Sequence, residues 1–306
     1  MNILLTGAAG QLGRELVPLL SPAGSLIGVD RDESPVQCSQ RIRHDLVDME
    51  ATQSLLDRLR PKIVVNAAAY TAVDAAEDNR DLSFRLNEDL PALLAQWCNQ
   101  HDAFLLHYST DYVFDGSATR PYTEQDQTDP VSVYGQSKLA GELAITGSAC
   151  RHVILRSSWI YSGHGSNFLL TMLRLAVERE VLGVIADQTG CPTWARNLAR
   201  ASQVVLQPAL NDNGGNEVKG LFHYCDGSVT SWHGFAEAIF RKAAAIGVIE
   251  RLPKLNPITT DEYPTAARRP QYSVLDTHEF RSRFNFQPPT LEESLNICIG
   301  EMTPDD

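Results

Sequence analysis

At 306 residues the chain suits one large or two moderate domains, and its 43% hydrophobic and 21% charged content is that of a globular protein. A net charge of −12 without a basic run argues against nucleic-acid or anionic-membrane binding, and no window approaches the roughly 18 apolar residues of a membrane span. Cys38, Cys98, Cys150, Cys191, Cys225 and Cys298 show no Cys-x-x-Cys or Cys/His ligand spacing, so with no targeting segment they read as reduced thiols in a cytoplasmic protein, and nothing requires a metal.

The first element is a short apolar strand, Asn2-Ile3-Leu4-Leu5, that runs into Thr6-Gly7-Ala8-Ala9-Gly10-Gln11-Leu12-Gly13. Leu12, Leu16, Leu19 and Leu20 then recur at helical spacing. Strand, glycine turn and helix together are the context of a dinucleotide-binding loop. Its glycines allow a tight turn and close approach to a pyrophosphate, while the helix N-terminus offers unpaired N–H groups to the anion. Gly7, Gly10 and Gly13 are spaced G-x-x-G-x-x-G, the variant of the extended short-chain dehydrogenase/reductases.

A second strand, Ser25–Val29, ends at Asp30-Arg31. An acid there suits the adenosine ribose of NAD, and a neighbouring arginine suits the 2′-phosphate of NADP, so NADH and NADPH both stay open. Asp45 of His44-Asp45-Leu46 stands within reach of an adenine, just before a helix that starts near Asp48. A third strand, Ile63-Val64-Val65, leads to Asn66-Ala67-Ala68-Ala69-Tyr70-Thr71, whose small residues let the backbone pass close to a cofactor. A helix over 90–100 and strands over 103–107 and 153–155 continue the βα rhythm. The fold class is therefore α/β, a Rossmann-type doubly wound parallel sheet over 1–160. The last third, with helices near 193–207 and 231–245 and strands near 181–185 and 221–224, reads as a smaller α/β substrate lobe over 161–306, the chain crossing between lobes. The turn-rich segment 211–216 is expected to be exposed, and Pro253, Pro257, Pro264, Pro270, Pro288 and Pro289 imply irregular loops.

Tyr134 and Lys138 are four apart and share one helix face. A phenol of reference pKa about 10 is a slow acid near neutrality, and an adjacent ammonium is expected to lower that pKa toward the working range. Upstream, Ser109-Thr110-Asp111 ends a strand, and Thr110 fits a hydrogen bond to a substrate carbonyl, with Ser109 its close competitor. Tyr134, Lys138 and Thr110 thus form the candidate catalytic group of a hydride-transfer enzyme.

The ordered motifs Asn66-Ala67-Ala68-Ala69-Tyr70-Thr71-Ala72-Val73-Asp74, Ser109–Gly116, Val133–Glu142, Arg156-Ser157-Ser158-Trp159-Ile160-Tyr161, Asn167-Phe168, Asp187–Thr193 and Ala267-Arg268-Arg269-Pro270 span nearly the whole chain. With them the chain resembles the dTDP-4-dehydrorhamnose reductase family, which catalyses the last step of dTDP-L-rhamnose biosynthesis for cell-surface polysaccharides. The resemblance implies cofactor contacts at Gly10, Gln11, Leu12, Asp30, Asp45, Leu46, Ala69, Tyr70, Thr71, Tyr108, Tyr134 and Lys138. It implies nucleotide-sugar contacts at Thr110, Asp111, Trp159 and Val73, with Arg269 a candidate for the pyrophosphate. Some members dimerise around magnesium held by glutamates. Glu15 and Glu292 match two of these, but Arg196 stands at the third, so no structural metal is expected and a homodimer is left open. Tyr272 replaces the family's usual asparagine. The alternatives are a nucleotide-sugar epimerase, which would show no net NAD(P)H consumption, and a catalytically silent dinucleotide-binding regulatory subunit, which would show no turnover at all.

Overall fold

The computed structural model describes residues 1–31, 36–210 and 218–302; the turn-rich segment 211–216 lies outside them. Seven parallel strands form the central sheet: β1 (Asn2–Thr6), β2 (Ser25–Asp30), β3 (Gln40–Arg43), β4 (Ile63–Asn66), β5 (Phe104–Thr110), β6 (Arg151–Ser157) and β7 (Gly220–His223). Their spatial order is β7-β6-β5-β4-β1-β2-β3. The order reverses beside β1, which opens a crevice at the carboxyl ends of β1 and β4, the usual ligand position in such sheets.

Alternate side chains of each strand enter two cores, as expected for parallel strands covered on both faces. Ile3, Leu5, Val65, Leu106 and Tyr108 pack with helices α1 (Gln11–Leu20) and, later in the chain, Ala195–Leu210. On the other face Leu4, Val64, Leu105 and Ile154 pack with α2 (Met49–Leu59), α3 (Leu90–His101) and Ile145 of α4 (Val133–Gly147). A third core gathers Tyr161, Leu169, Trp194, Phe235 and Leu295 from α5 (Phe168–Glu178), the N-terminal approach to α6 (Ala195–Leu210), α7 (Trp232–Ala245) and α8 (Leu291–Gly300).

Several elements depart from the expected pattern. The strand Gly220–His223, grouped by sequence with the last third, pairs with β6 and extends the central sheet. Likewise α6 covers α1 from the same side of that sheet. The strand β3 has no apolar signature because it is an edge strand, and Gln40, Arg41 and Arg43 are exposed. Pro257 sits in a strand rather than a loop: Lys254–Ile258 pairs in parallel with Val181–Ile185 as a two-stranded ribbon, where a proline without N–H is tolerated because each strand has a free edge.

Among the described residues no helix is long and apolar enough to cross a membrane.

Candidate active site

The glycine loop begins where β1 ends. Gly7 has φ +67, and a Cβ there would stand 2.8 Å from the backbone of Ala67 beyond β4, so the loop and the β4 turn touch with no room for a side chain. A Cβ on Gly13 would collide with the carbonyl oxygen of Gly7. Gly10 opens α1 without a side-chain cap, and no acid sits in the first turn. The first N–H groups of a ten-residue helix therefore face the crevice with a favourable dipole. This backbone cradle fits the pyrophosphate of a dinucleotide.

Asp30 closes β2 and braces the loop: its Oδ2 accepts from Ala9 N at 2.9 Å, and its Oδ1 accepts from Arg31 N at 2.8 Å. Asp45 is exposed and accepts from Val47 N, while Leu46 is buried in the core behind it. Gln11 and Leu12 start α1. Gln11 is gripped from the segment before α5, its Oε1 accepting from Ser162 Oγ at 3.1 Å and from Asn167 Nδ2 at 2.9 Å.

Ala69, Tyr70 and Thr71 follow β4 along the same edge, and Asn87 holds them there. Its Oδ1 accepts from Tyr70 N at 2.9 Å, and its Nδ2 donates to Tyr70 O at 3.0 Å and to Ser137 Oγ of α4 at 2.9 Å. Asn87 lies in a single π-helical turn, Arg85–Asp89, a local widening common at functional sites.

Helix α4 begins at Ser132, whose hydroxyl caps Gly135 N. It carries Tyr134 and Lys138 to the carboxyl edge of β5. Lys138 is buried, and its Nζ donates to Tyr108 O at 2.6 Å and lies 3.2 Å from His107 Nε2. Burial pushes its pKa down to about 8, with Glu142 one turn on pulling upward. The Tyr134 phenol is pushed up to about 12, chiefly by burial and partly by the Asp111 carboxyl, while the Thr110 hydroxyl pulls the other way. The expected lowering by Lys138 is not among the causes, and burial sets the direction. The Lys138 Nζ gives one hydrogen bond to β5, at Tyr108 O, and the phenol keeps its proton.

Thr110 is buried beside Tyr134, donating to Asp111 Oδ1 at 3.1 Å and accepting from Tyr112 N at 3.2 Å. Its competitor Ser109 is also buried, but its Oγ finds no partner among the described residues. Burial pushes Asp111 up to about 7, while the Ser273 and Thr110 hydroxyls pull the other way. Tyr108 is less direct than the resemblance implies: its phenol donates to Ser202 Oγ at 2.7 Å in the core, and its carbonyl is what meets Lys138.

Val73 starts a short helix, Val73–Asp78, at the rim. The neighbouring Asp74 clamps the far loop, accepting from Ala267 N at 3.1 Å and from Arg269 Nη2 at 2.7 Å. Arg269 is therefore tethered over Tyr112 rather than loose in solvent. Trp159 has φ +46 and stacks on Trp232 with centroids 3.6 Å apart and planes 7° from parallel. A Cβ on Gly190 would sit 2.5 Å from the Trp159 ring, so the indole is wedged between two elements. Tyr272 pairs its backbone with Thr189 and borders Tyr122.

Trp232 and Asn87 are absent from the sequence reading, and Asn66 and His107 enter it only within a motif and a strand, without a role. Nothing in their local spacing marks them, since each meets its partner across strands or lobes. Behind α4, buried Arg156 forms a bidentate pair with Glu142, at 2.9 and 2.7 Å, under the Phe114 ring.

At the expected glutamate position, Arg196 donates to Glu15 Oε2 at 2.8 Å and to Glu301 Oε2 at 2.7 Å, joining α1, α6 and the end of α8. Glu292 is on the exposed first turn of α8. Among the described residues no group of three or more His, Cys, Asp or Glu side chains is gathered as a metal site.

Comparison with known proteins agrees with this arrangement. The dTDP-4-dehydrorhamnose reductase of Salmonella typhimurium is 42% identical over 302 residues, covering 99% of this chain and 98% of its own. A solved dTDP-4-dehydrorhamnose reductase of Bacillus anthracis, in complex with NADP, superposes with a TM-score of 0.85 at 32% identity, covering 98% of this chain and 99% of that one. The Thermus thermophilus UDP-glucose 4-epimerase, at 20% identity, TM-score 0.81 and 99% coverage of both chains, shares the fold. With the RmlD substrate binding domain model matching residues 1–303 as well, the chain belongs to the dTDP-4-dehydrorhamnose reductase family.

Proposed function

We propose that this protein reduces the C4 keto group of dTDP-4-dehydro-L-rhamnose to dTDP-L-rhamnose, with NADPH or NADH as reductant. The observation that carries the reading is the meeting of Tyr134, Thr110 and Lys138 at the sheet edge beside the glycine cradle, in a chain that aligns end to end with reductases of that name. The bound dinucleotide supplies the hydride.

The chain supplies the rest. Gln11, Leu12 and Gly13 present backbone N–H groups to the pyrophosphate, while Gly7 and Gly10, whose own N–H groups bond Val29 O and Gly7 O, shape the turn that brings it there. Asp30 and Arg31 flank the adenosine ribose, Asp45 and Leu46 the adenine, and Ala69, Tyr70, Thr71 and Tyr108 the remaining length. Thr110 donates to the carbonyl oxygen of the sugar, and Tyr134 gives up its proton to that oxygen as negative charge grows there. Lys138 holds the ribose and offsets the charge left on the phenolate. Asp111, Trp159, Val73 and Arg269 line the nucleotide-sugar side, where Arg269, already oriented by Asp74, suits a phosphate oxygen. We assign 1–160 mainly to the dinucleotide and 161–306 mainly to the sugar nucleotide, with α6 and β7 returning to the first lobe.

The direct test is NADPH and NADH oxidation, followed by near-ultraviolet absorbance, on adding dTDP-4-dehydro-L-rhamnose. Loss of absorbance with dTDP-L-rhamnose as product is expected. A flat trace from folded, cofactor-binding protein would reject this substrate, and sugar interconversion without NADPH loss would favour an epimerase. In the same assay Gly13→Ala is expected to weaken NADPH binding by at least ~10-fold, because the new methyl displaces the loop that shapes the anion site. Nucleotide fluorescence titration reads this directly, and wild-type affinity would remove the cradle from the cofactor site.

A further inference from the structure

Thr6, Asn66 and His107 stand side by side at one level of the sheet. The strand register pairs Thr6 with Asn66 and Asn66 with His107. All three side chains are buried, at 0–1% exposure, on the face covered by α4. Thr6 Oγ1 donates to Asn66 Oδ1 at 2.6 Å, Asn66 Nδ2 lies 3.0 Å from His107 Nδ1, and His107 Nε2 lies 3.2 Å from Lys138 Nζ. A polar row thus runs from the strand below the glycine loop, across β1, β4 and β5, to the lysine of the candidate site.

We propose that Thr6, Asn66 and His107 are a positioning ladder for Lys138, whose hydrogen-bond polarity reverses with the charge on that lysine. The proposal deepens the reading above and rests on it for the role of Lys138.

An ammonium has donors only. While Lys138 is charged, the atom 3.2 Å away must accept, so Nε2 is bare and the one ring proton sits on Nδ1. That proton goes to the side-chain oxygen of Asn66, which turns its nitrogen to Thr6. When Lys138 is neutral its lone pair accepts Nε2–H. Nδ1 is then bare and accepts the Asn66 amide, and Asn66 Oδ1 accepts the Thr6 hydroxyl, the arrangement of the 2.6 Å contact. The Thr6 oxygen also takes Ala68 N at 3.3 Å, which ties the ladder to the cofactor-side turn.

In both polarities the imidazole is neutral. Burial first, then Lys138 and His152, hold its pKa well below the ordinary value. The titratable groups that act on the His107–Lys138 pair are Glu142 on α4 and His152 on β6. Glu142 is matched by Arg156, and His152 is kept neutral by burial. An amide and a neutral ring can change donor for acceptor at small cost, whereas a fixed donor or acceptor favours one charge state. The row ends at buried Thr6, so it is a support for the lysine and not a path to solvent.

The sign of the effect follows. The pKa of Lys138 is already low at about 8. His107→Leu leaves the ammonium one acceptor fewer, so its proton leaves at lower pH. Asn66→Asp presents only acceptors to Nδ1, fixes Nε2 as bare, and keeps the ammonium to higher pH. His107→Gln restores the acceptor, since its side-chain amide reaches the place of Nε2.

The test combines nitrogen NMR of the His107 ring and Lys138 Nζ in cofactor-free protein with the pH profile of kcat. The ring proton is expected to move from Nδ1 to Nε2 as Lys138 titrates. At about pH 9, kcat should fall ~10-fold in His107→Leu and rise ~5-fold in Asn66→Asp, with His107→Gln within about twofold of wild type. An unchanged tautomer across the titration, shifts of the same sign in His107→Leu and Asn66→Asp, or a folded glutamine variant that behaves like leucine would each overturn the ladder. The NMR arm needs no turnover, so an inactive wild type would reject the proposed reaction while the titration still decides this proposal.

Discussion

Replacing Tyr134 by phenylalanine is expected to lower kcat for reduction of the 4-keto sugar by about 10²–10⁴-fold while leaving NADPH affinity within about twofold. The substitution removes one oxygen from a packed site and keeps the ring. Its edge-on contact with Tyr112, centroids 5.8 Å apart, survives, so the effect is chemical rather than structural. Tyr112 is no substitute acid, because its phenol is engaged by Arg269, which Asp74 holds in place. Thr110 can still polarise the carbonyl but is far too weak an acid to complete the transfer. Steady-state kinetics beside equilibrium nucleotide titration separates the two roles. A phenylalanine variant with wild-type kcat would end the case for Tyr134 as the proton donor.

Glu142→Leu is expected to be the most damaging single change to stability, at about 3–5 kcal/mol, or a thermal midpoint lower by on the order of 10 °C. It leaves the Arg156 guanidinium, 4% exposed, without its bidentate carboxylate. The remaining neighbour, His223 Nε2 at 3.3 Å, is a neutral acceptor: burial and Arg156 push its pKa down to about 3, and its Nδ1 proton serves Tyr122 O at 3.0 Å. A neutral ring cannot replace a carboxylate for a desolvated cation. The double variant Glu142→Leu with Arg156→Met removes both charges and should recover most of the loss. Thermal unfolding of the three proteins forms the cycle. If the double variant proved as unstable as the single, packing rather than the orphaned charge would be the cause.

What the sequence disclosed and what it hid differ in kind. Tyr134 with Lys138 and the Gly7–Gly13 loop are legible because their geometry is local, four residues along one helix or one turn between strand and helix. The buried runs Ile63-Val64-Val65 and Val153-Ile154-Leu155 announce a sheet covered on both faces. By contrast, His107 meets Lys138 only because β5 lies against α4, and Asn66 meets His107 only through strand register. Trp232 reaches Trp159 from more than seventy residues along the chain, a separation that periodicity cannot bridge. The direction of the Tyr134 shift was hidden for the same reason: spacing names the ammonium but not the burial that sets the direction, nor the carbonyl of Tyr108 to which the ammonium turns.

The late return of the chain to its first sheet has a consequence for synthesis. A ribosome delivers β1 to β6 well before α6 and β7. Until residues near 223 emerge, β6 presents an unpaired edge, and Leu16, Val17 and Leu20 of α1 lack the cover given by Leu198, Val205 and Leu206. The nascent dinucleotide half is thus sticky for the time taken to translate some sixty residues, the distance from the end of β6 at Ser157 to the start of β7 at Gly220. Slow codons within that stretch would lengthen the exposure, which makes the yield of folded protein sensitive to the pace of its synthesis.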